Sequence, residues 1–174
     1  MKINNKGLSY IELILVISIA SILTGLLAIS LGTVNRNNVQ KAADSLQSGF
    51  KTAQTSSMAK GKEKGALYVY SKKGKCYYSI GQMGAEEQKI SSTAIKVIFN
   101  IDGTDRVVKD GFVAKFKFDP ATGGSLGADY STNNGVNWTT ASAYNLGQLT
   151  VTNKSGKMVK LMIRKVTGKI GEIY

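Results

Sequence analysis

The chain opens on a long apolar run that leads into an amphipathic one. From Leu8 to Leu31, twenty-four residues carry one charge, that of Glu12. A helix crosses the hydrocarbon core of a bilayer with about 20 apolar residues, so this run predicts a transmembrane helix over 8–31. Over 35–60, apolar residues recur every three or four positions, which predicts an amphipathic continuation of the same helix.

Beyond Gly61 the apolar period changes from helical spacing to alternation. The segments predicted as strands are Ala66–Tyr70, Cys76–Ile80, Ile95–Ile101, Phe112–Phe118, Leu149–Thr152 and Met158–Ile173. Phe112–Phe118 is the clearest, because its phenylalanines fall on one face and Lys115 and Lys117 on the other. The order of elements predicts an α+β fold. In it, the long N-terminal helix, with a hydrophobic half and an amphipathic half, packs on an antiparallel β-sheet head.

The pattern divides the chain into four parts. They are a leader at 1–7, a transmembrane or assembly helix at 8–31, its amphipathic second half at 32–60 and the head at 61–174. Within the head, 120–147 is rich in Gly, Ser, Thr and Asn and is predicted to be a long loop that faces solvent or a partner. Its aromatic residues, Tyr130, Trp138 and Tyr144, either cover the edge of the core or offer a stacking surface to a ligand.

The amino-acid composition excludes several kinds of catalytic and metal site. The 174 residues include no His, which excludes a Ser-His-Asp triad, a Cys-His dyad and a His-ligated metal. One cysteine, Cys76, excludes a Cys-based zinc site and an intrachain disulfide, and it is predicted to be a buried small apolar residue. The acidic group around Asn100, Asp102, Asp105 and Asp110 fits a hairpin turn better than a calcium loop. The chain is therefore predicted to be no enzyme, with no cofactor and no metal.

The net charge of +12 comes from 23 Lys and Arg against 11 Asp and Glu. Its excess falls into two groups, and the residues predicted to contact a nucleic acid or another polyanion are Lys60, Lys62, Lys64, Lys72, Lys73, Lys75, Lys160, Arg164, Lys165 and Lys169. If the two groups adjoin on the sheet, they form a patch that binds phosphates without sequence preference. The alternatives are cell-wall polyanions, acidic faces of neighbouring subunits, or ordinary solvated lysines.

The first seven residues, MKINNKG, set the predicted topology. Lys2 and Lys6 precede the apolar run, and no small-residue cleavage site follows it, so an ordinary secretory signal is excluded. Positive charge favours a cytoplasmic N-terminus, which predicts a single-pass protein of the cytoplasmic membrane with its head outside. The carboxylate of Glu12 lies inside the apolar run and needs a partner, but the run contains no other charged residue. That partner is a neighbouring chain, interfacial water, or an α-amine created by cleavage after Gly7.

The residues Gly7, Leu8, Ser9, Tyr10, Ile11 and Glu12 fill a known pattern. This junction of a basic leader with an apolar helix resembles the amino terminus of type IV pilins and pseudopilins. The resemblance implies that a prepilin peptidase cuts between Gly7 and Leu8 and N-methylates Leu8. It also implies that Glu12 aids assembly by meeting the amine of an adjacent subunit. Ile29 stands where many major pilins have a Pro, which favours a minor pilin or pseudopilin.

Three further segments, ADSLQSGFKTAQTSSMAKGKEKGALYVY, FKFDPATGG and VTGKIGEIY, resemble H-type pseudopilins of type II secretion and FimT-like minor pilins. The implied function is a structural subunit of a type IV pilus, a competence pseudopilus or a type II secretion-like filament. The implied partners are other pilin subunits, a prepilin peptidase, an inner-membrane assembly platform, membrane lipid before assembly and, as an open alternative, DNA. The competing readings are a DNA-capturing pilus subunit, a plain signal-anchor helix, and a membrane-anchored binding protein that does not assemble.

Overall fold

A computed structural model describes residues 10–90, 95–101, 103–141, 148–164 and 166–173, without the side chains of 25–36. The chain divides into two compact units, 1–36 and 37–174. The second half of the helix therefore belongs to the same unit as the strands.

Over the described residues, one helix precedes a series of short strands. The elements are α1 (Tyr10–Lys60), β1 (Leu67–Lys72), β2 (Lys75–Ile80), β3 (Gln88–Lys89), β4 (Ile95–Ile101), β5 (Thr104–Val107), β6 (Val113–Phe118), β7 (Ser125–Ser131), β8 (Thr139–Thr140), β9 (Gln148–Asn153), β10 (Met158–Ile163) and β11 (Ile170–Ile173).

The strands form two sheets. The first, sheet A, has the order β3-β2-β1-β6-β7-β8, and the second, sheet B, has the order β11-β10-β9-β4-β5. Every ladder between these strands is antiparallel. The β1–β2 hairpin turns through Lys73 and Gly74, whose φ angles of 52° and 70° are the positive pair that a tight two-residue hairpin needs.

The core lies where the helix and the two sheets meet. Phe116 of sheet A has its ring centroid 4.8 Å from that of Phe50 on α1 and 5.1 Å from that of Phe99 on sheet B. All three side chains are fully buried. One aromatic cluster thus joins the helix to both sheets, and dispersion and apolar burial hold the unit together without a disulfide.

The predicted architecture of a long N-terminal helix packed on one antiparallel sheet is wrong. The strands divide into two sheets, and residues 10–24 of the helix have exposed side chains. Alternation explains the error, because a strand with one buried face fits a single covered sheet or either of two sheets that share a core.

The predicted membrane anchor is also wrong. A helical crossing needs about 20 apolar residues. Within the part of the chain that the structure describes, no helix has both the length and the apolar character required. This finding contradicts the single-pass arrangement over 8–31, with the N-terminus in the cytoplasm and the head outside.

The segment 120–147 differs from the predicted long loop. It contains β7, which pairs with β6 along its length, and the short β8. The register of β7 shifts beside Phe118, and Gly127 has a positive φ of 106°. The register shift and the glycine within this strand hide the alternation that would have predicted it. Residues 142–147, with Tyr144, lie outside the described residues.

Candidate functional site

The first half of α1 presents apolar side chains on every side. The large apolar residues that it exposes are Tyr10, Ile11, Leu13, Ile14, Leu15, Val16, Ile17, Ile19, Ile22 and Leu23, with exposed fractions from 47% to 79%. A helix that is apolar all round is normally surrounded by other apolar groups. The segment is therefore a candidate interaction surface.

The serine and threonine hydroxyls of this segment are satisfied by the helix itself. The hydroxyls of Ser18 and Ser21 each donate to the carbonyl oxygen four residues earlier, at 2.8 Å. Thr24 does the same to Ala20. Covering this face would therefore leave none of these three hydroxyls without a partner.

Glu12 is the acidic residue of the first turn of α1, and its side chain is exposed. No described residue forms an ion pair with it. The predicted cleavage and methylation site, Gly7 and Leu8, lies outside the described residues. The structure therefore places Glu12 on the exposed apolar segment but does not show the amine that the resemblance pairs with it.

The second half of α1 has one buried stripe. It consists of Val39, Ala42, Ala43, Leu46, Phe50 and Ala53, each at most 1% exposed. Gly49 continues the stripe, because a Cβ there would lie 2.9 Å from Cε2 of Tyr78 on β2. The predicted amphipathic period is confirmed in this half.

Sequence reasoning missed the polar side chains that fasten this half to the strands. Ser57 is fully buried and donates its hydroxyl to the carbonyl of Phe118 at 2.9 Å. The amide nitrogen of Gln54 donates to the carbonyls of Gly123 at 2.8 Å and Thr167 at 2.7 Å. The bonded residues are separated by between 61 and 113 positions along the chain. A local sequence pattern therefore cannot predict these contacts.

Members of the two lysine groups lie on or beside different sheets. Lys72, Lys73 and Lys75 surround the β1–β2 turn of sheet A, where Lys72 pairs with Glu87 at 3.3 Å. Lys160 lies on β10 of sheet B, with Arg164 directly after that strand.

The remaining members of the predicted patch are spread out. Lys60 ends α1, Lys62 and Lys64 lie in the following turn, Lys169 precedes β11, and Lys165 is outside the described residues. The described members of the predicted patch do not lie on one sheet, and DNA binding stays a prediction.

Acidic neighbours neutralise lysines on the outer face of sheet A. Lys115 pairs with Glu63 at 2.9 Å, and this bond holds the pKa of Glu63 below its usual range. Lys117 pairs with Asp129 at 2.8 Å. The ion pairs reduce the positive field on this face and leave it a weaker anion-binding surface than the sequence suggests.

The aromatic residues of 120–147 have separate roles. Tyr130 stacks on Phe112, with ring centroids 6.2 Å apart. The guanidinium carbon of Arg106 lies 4.3 Å from the centroid of the Tyr130 ring. Trp138 meets Tyr68 edge-on at 6.3 Å and is 39% exposed. Tyr130 therefore covers the core edge, which is one of the two predicted roles, whereas Trp138 covers a tyrosine on sheet A.

Two smaller predictions are confirmed. Cys76 is 6% exposed, and burial raises the pKa of its thiol to about 11. The side-chain amide of Asn100 donates to Asp105 at 2.8 Å across the β4–β5 hairpin, which supports a turn at this site. Asp110 accepts from the hydroxyl of Ser71 and the backbone N–H of Gly74, and these bonds hold its pKa below the usual range.

The site that these contacts define is an exposed apolar helix segment ahead of a separately packed unit. Comparison with known proteins adds no assignment: no protein-family model, curated protein or solved structure matches the chain.

Proposed function

We propose that this chain is a structural subunit of a pilin-like filament, as a minor pilin or pseudopilin, and that it assembles through residues 10–24 of α1. The observation that carries the proposal is the exposure of ten large apolar side chains on this segment, from 47% to 79%. The order of residues from Gly7 to Glu12 supports the same class. The machine that the filament serves is a pilus, a competence system or a type II secretion system.

Apolar exposure on this scale favours contact with further copies of the same segment. Removing apolar surface from water contributes roughly 25 cal/mol per Å² before the cost of ordering the chains is subtracted, so the exposed apolar area of this segment favours association. An identical contact repeated from chain to chain, without closing into a ring, produces a helical filament. The unit 37–174 has its own core of buried apolar residues, which is separate from the segment proposed to assemble.

Glu12 would set the register between subunits. A carboxylate covered by apolar side chains is costly unless a cation or hydrogen-bond donor meets it. Cleavage after Gly7 would create an α-amine at Leu8, and the carboxylate of one chain would then meet the amine of a neighbour. Chains that bundle out of register would leave Glu12 buried without a partner.

The decisive experiment replaces Glu12 and follows incorporation into filaments. In cells that contain the assembly machinery, we expect Glu12→Ala to reduce incorporation at least tenfold, measured by immunoblotting of sheared filaments. The variant should still accumulate to the level of the unaltered chain, because Glu12 is exposed and outside the core. Asp44→Ala is the matched control, since it removes an exposed carboxylate from the second half of the same helix.

Incorporation of Glu12→Ala at the level of Asp44→Ala would contradict the proposal and favour a protein that does not assemble. Processing provides an independent check. With the peptidase present, Gly7→Val should leave an unshifted band on a gel, whereas the unaltered chain should lose its seven-residue leader. A shift in both chains would overturn the proposed cleavage site.

A further inference from the structure

A slot separates the second half of α1 from the last hairpin of sheet B. Its volume is about 470 Å³, within the usual range of ligand pockets. The lining residues are Asp44, Gln47, Ser48, Lys51 and Gln54 from the helix and Gly168, Lys169 and Ile170 from the hairpin. Most of these side chains are exposed or half-buried, so the slot opens to solvent.

Hydrogen bonds hold the two walls together at both ends of the slot. At one end, Gln54 donates to the carbonyl of Thr167 at 2.7 Å. At the other end, the amide of Gln40 donates to the carboxylate of Glu172 on β11. These hydrogen bonds connect the helix to the hairpin at both ends of the slot. The slot is therefore a feature of the folded chain.

The strand that borders the slot has an unpaired edge. β11 is the last strand of sheet B and pairs with β10 on one side, while no described strand pairs with its other side. Edge strands present free backbone N–H and C=O groups, and an extended peptide can add to such an edge as a further strand. Ile170, the first residue of β11, lines the slot.

The charges of the slot favour an anionic group. Lys51 and Lys169 both line it, and neither forms an ion pair with a described residue. Asp44 is the one acidic residue among the lining residues described, and it accepts a hydrogen bond from Gln40 at 3.3 Å. A carboxylate between the two lysines would gain two charge-assisted contacts.

We propose that this slot binds an extended peptide segment that adds to β11 and places a carboxylate between Lys51 and Lys169. Backbone hydrogen bonds to β11 supply affinity, and the lysine pair supplies selectivity for an acidic residue. A nucleic acid fits less well, because none of the described lining residues is an aromatic side chain on which a base could stack. The proposal does not rest on filament assembly.

The test uses the full chain in a mild nonionic detergent and two capped pentapeptides. The acidic probe is acetyl-Thr-Val-Glu-Val-Thr-amide, and the neutral probe has Gln in place of Glu. We expect the acidic probe to slow hydrogen exchange of backbone amides in β11. We also expect it to bind at least about tenfold more tightly than the neutral probe, because a single charge-assisted hydrogen bond accounts for roughly that factor.

Paired variants separate the slot from general positive charge. The double variant Lys51→Gln and Lys169→Gln should abolish the preference for the acidic probe. The control, Lys73→Gln and Lys75→Gln, removes the same charge from exposed residues of sheet A and should keep the preference. No protection of β11, or an equal loss in both double variants, would overturn the proposal. Duplex DNA that displaces the acidic probe from the slot would overturn the assignment to a peptide.

Discussion

The two halves of α1 use apolar residues in opposite ways. Between residues 10 and 23 the helix is apolar all round, and its large side chains are 47% to 79% exposed. Between residues 39 and 53 the apolar residues form one stripe, and that stripe is buried in a core shared with both sheets. A stripe specifies one packing partner within the chain, whereas an apolar cylinder can be covered only by several neighbours.

The comparison predicts that the second half contributes more to the stability of the fold than the first half does. A pair of identical substitutions provides the strongest test. Leu46→Ala should lower the free energy of unfolding by about 2–5 kcal/mol, because it opens a cavity where the side chain is fully buried. Leu15→Ala should change it by less than about 0.5 kcal/mol, because the side chain is 60% exposed.

Urea unfolding followed by tryptophan fluorescence measures both, since Trp138 lies in the unit 37–174. Equal costs for the two substitutions would show that the halves do not differ in their contribution to stability.

The next effect concerns Gly65, whose backbone lies close to Ser57 near the end of α1. A Cβ on Gly65 would lie 2.2 Å from the backbone nitrogen of Ser57, so Gly65→Ala must push the chain away from the helix. We expect a loss of about 1–3 kcal/mol of stability, as for other overpacked sites. Gly171→Ala is the control, because a Cβ there meets nothing within 4 Å. Equal melting temperatures for the two variants would show that the close contact between Gly65 and Ser57 does not determine stability.

A smaller effect is expected from the hydrogen bonds of Gln54. Gln54→Ala leaves the carbonyls of Gly123 and Thr167 without this donor and should cost about 1–2 kcal/mol. Gln82→Ala, at an exposed position in the turn after β2, should be close to neutral. Gln54→Ala should also speed hydrogen exchange of the backbone amides in β11, because Gln54 connects the helix to the turn before this strand. Unchanged exchange in β11 would contradict this role of Gln54.

The smallest effect is a pH dependence at the turn that Gln54 holds. The backbone N–H of Ala121 and the hydroxyl of Thr122 donate to Asp119, and these bonds hold its pKa below the usual range. A depressed folded-state pKa stabilises the fold above the unfolded value of about 3.9, and the contribution disappears as pH falls through the folded value. Chemical denaturation from pH 7 down to about pH 3 should therefore show a shallower acid loss in Asp119→Asn than in the unaltered chain. Parallel curves would contradict this assignment.

The local elements of the fold could be predicted from the sequence. The period change after Gly61 located β1, β2, β4, β6, β9 and β10, because half-buried strands alternate. The buried stripe from Val39 to Ala53 followed from helical spacing in the same way.

The partition of the strands into two sheets could not be predicted. Alternation reports how many faces of a strand are buried, not which neighbour covers them. Val113 illustrates the limit: it lies on the same face of β6 as Lys115 and Lys117, and yet it is 1% exposed.

The candidate site shows the same division. The exposed segment of α1 and Glu12 were visible in the sequence, because a long apolar run with one charge is a local feature. The slot beside β11 was not visible, because Gln40 and Glu172 are 132 positions apart and meet only in the folded chain. Neither residue type nor spacing distinguishes them from other surface glutamines and glutamates.

The buried thiol of Cys76 makes the chain convenient for site-specific cross-linking. With a pKa of about 11, roughly one thiol in a thousand is ionised at pH 8, and the side chain is 6% exposed. A cysteine introduced at an exposed position is then the single reactive thiol of the molecule. Cross-links between chains can therefore be assigned to the introduced site without first removing the native cysteine.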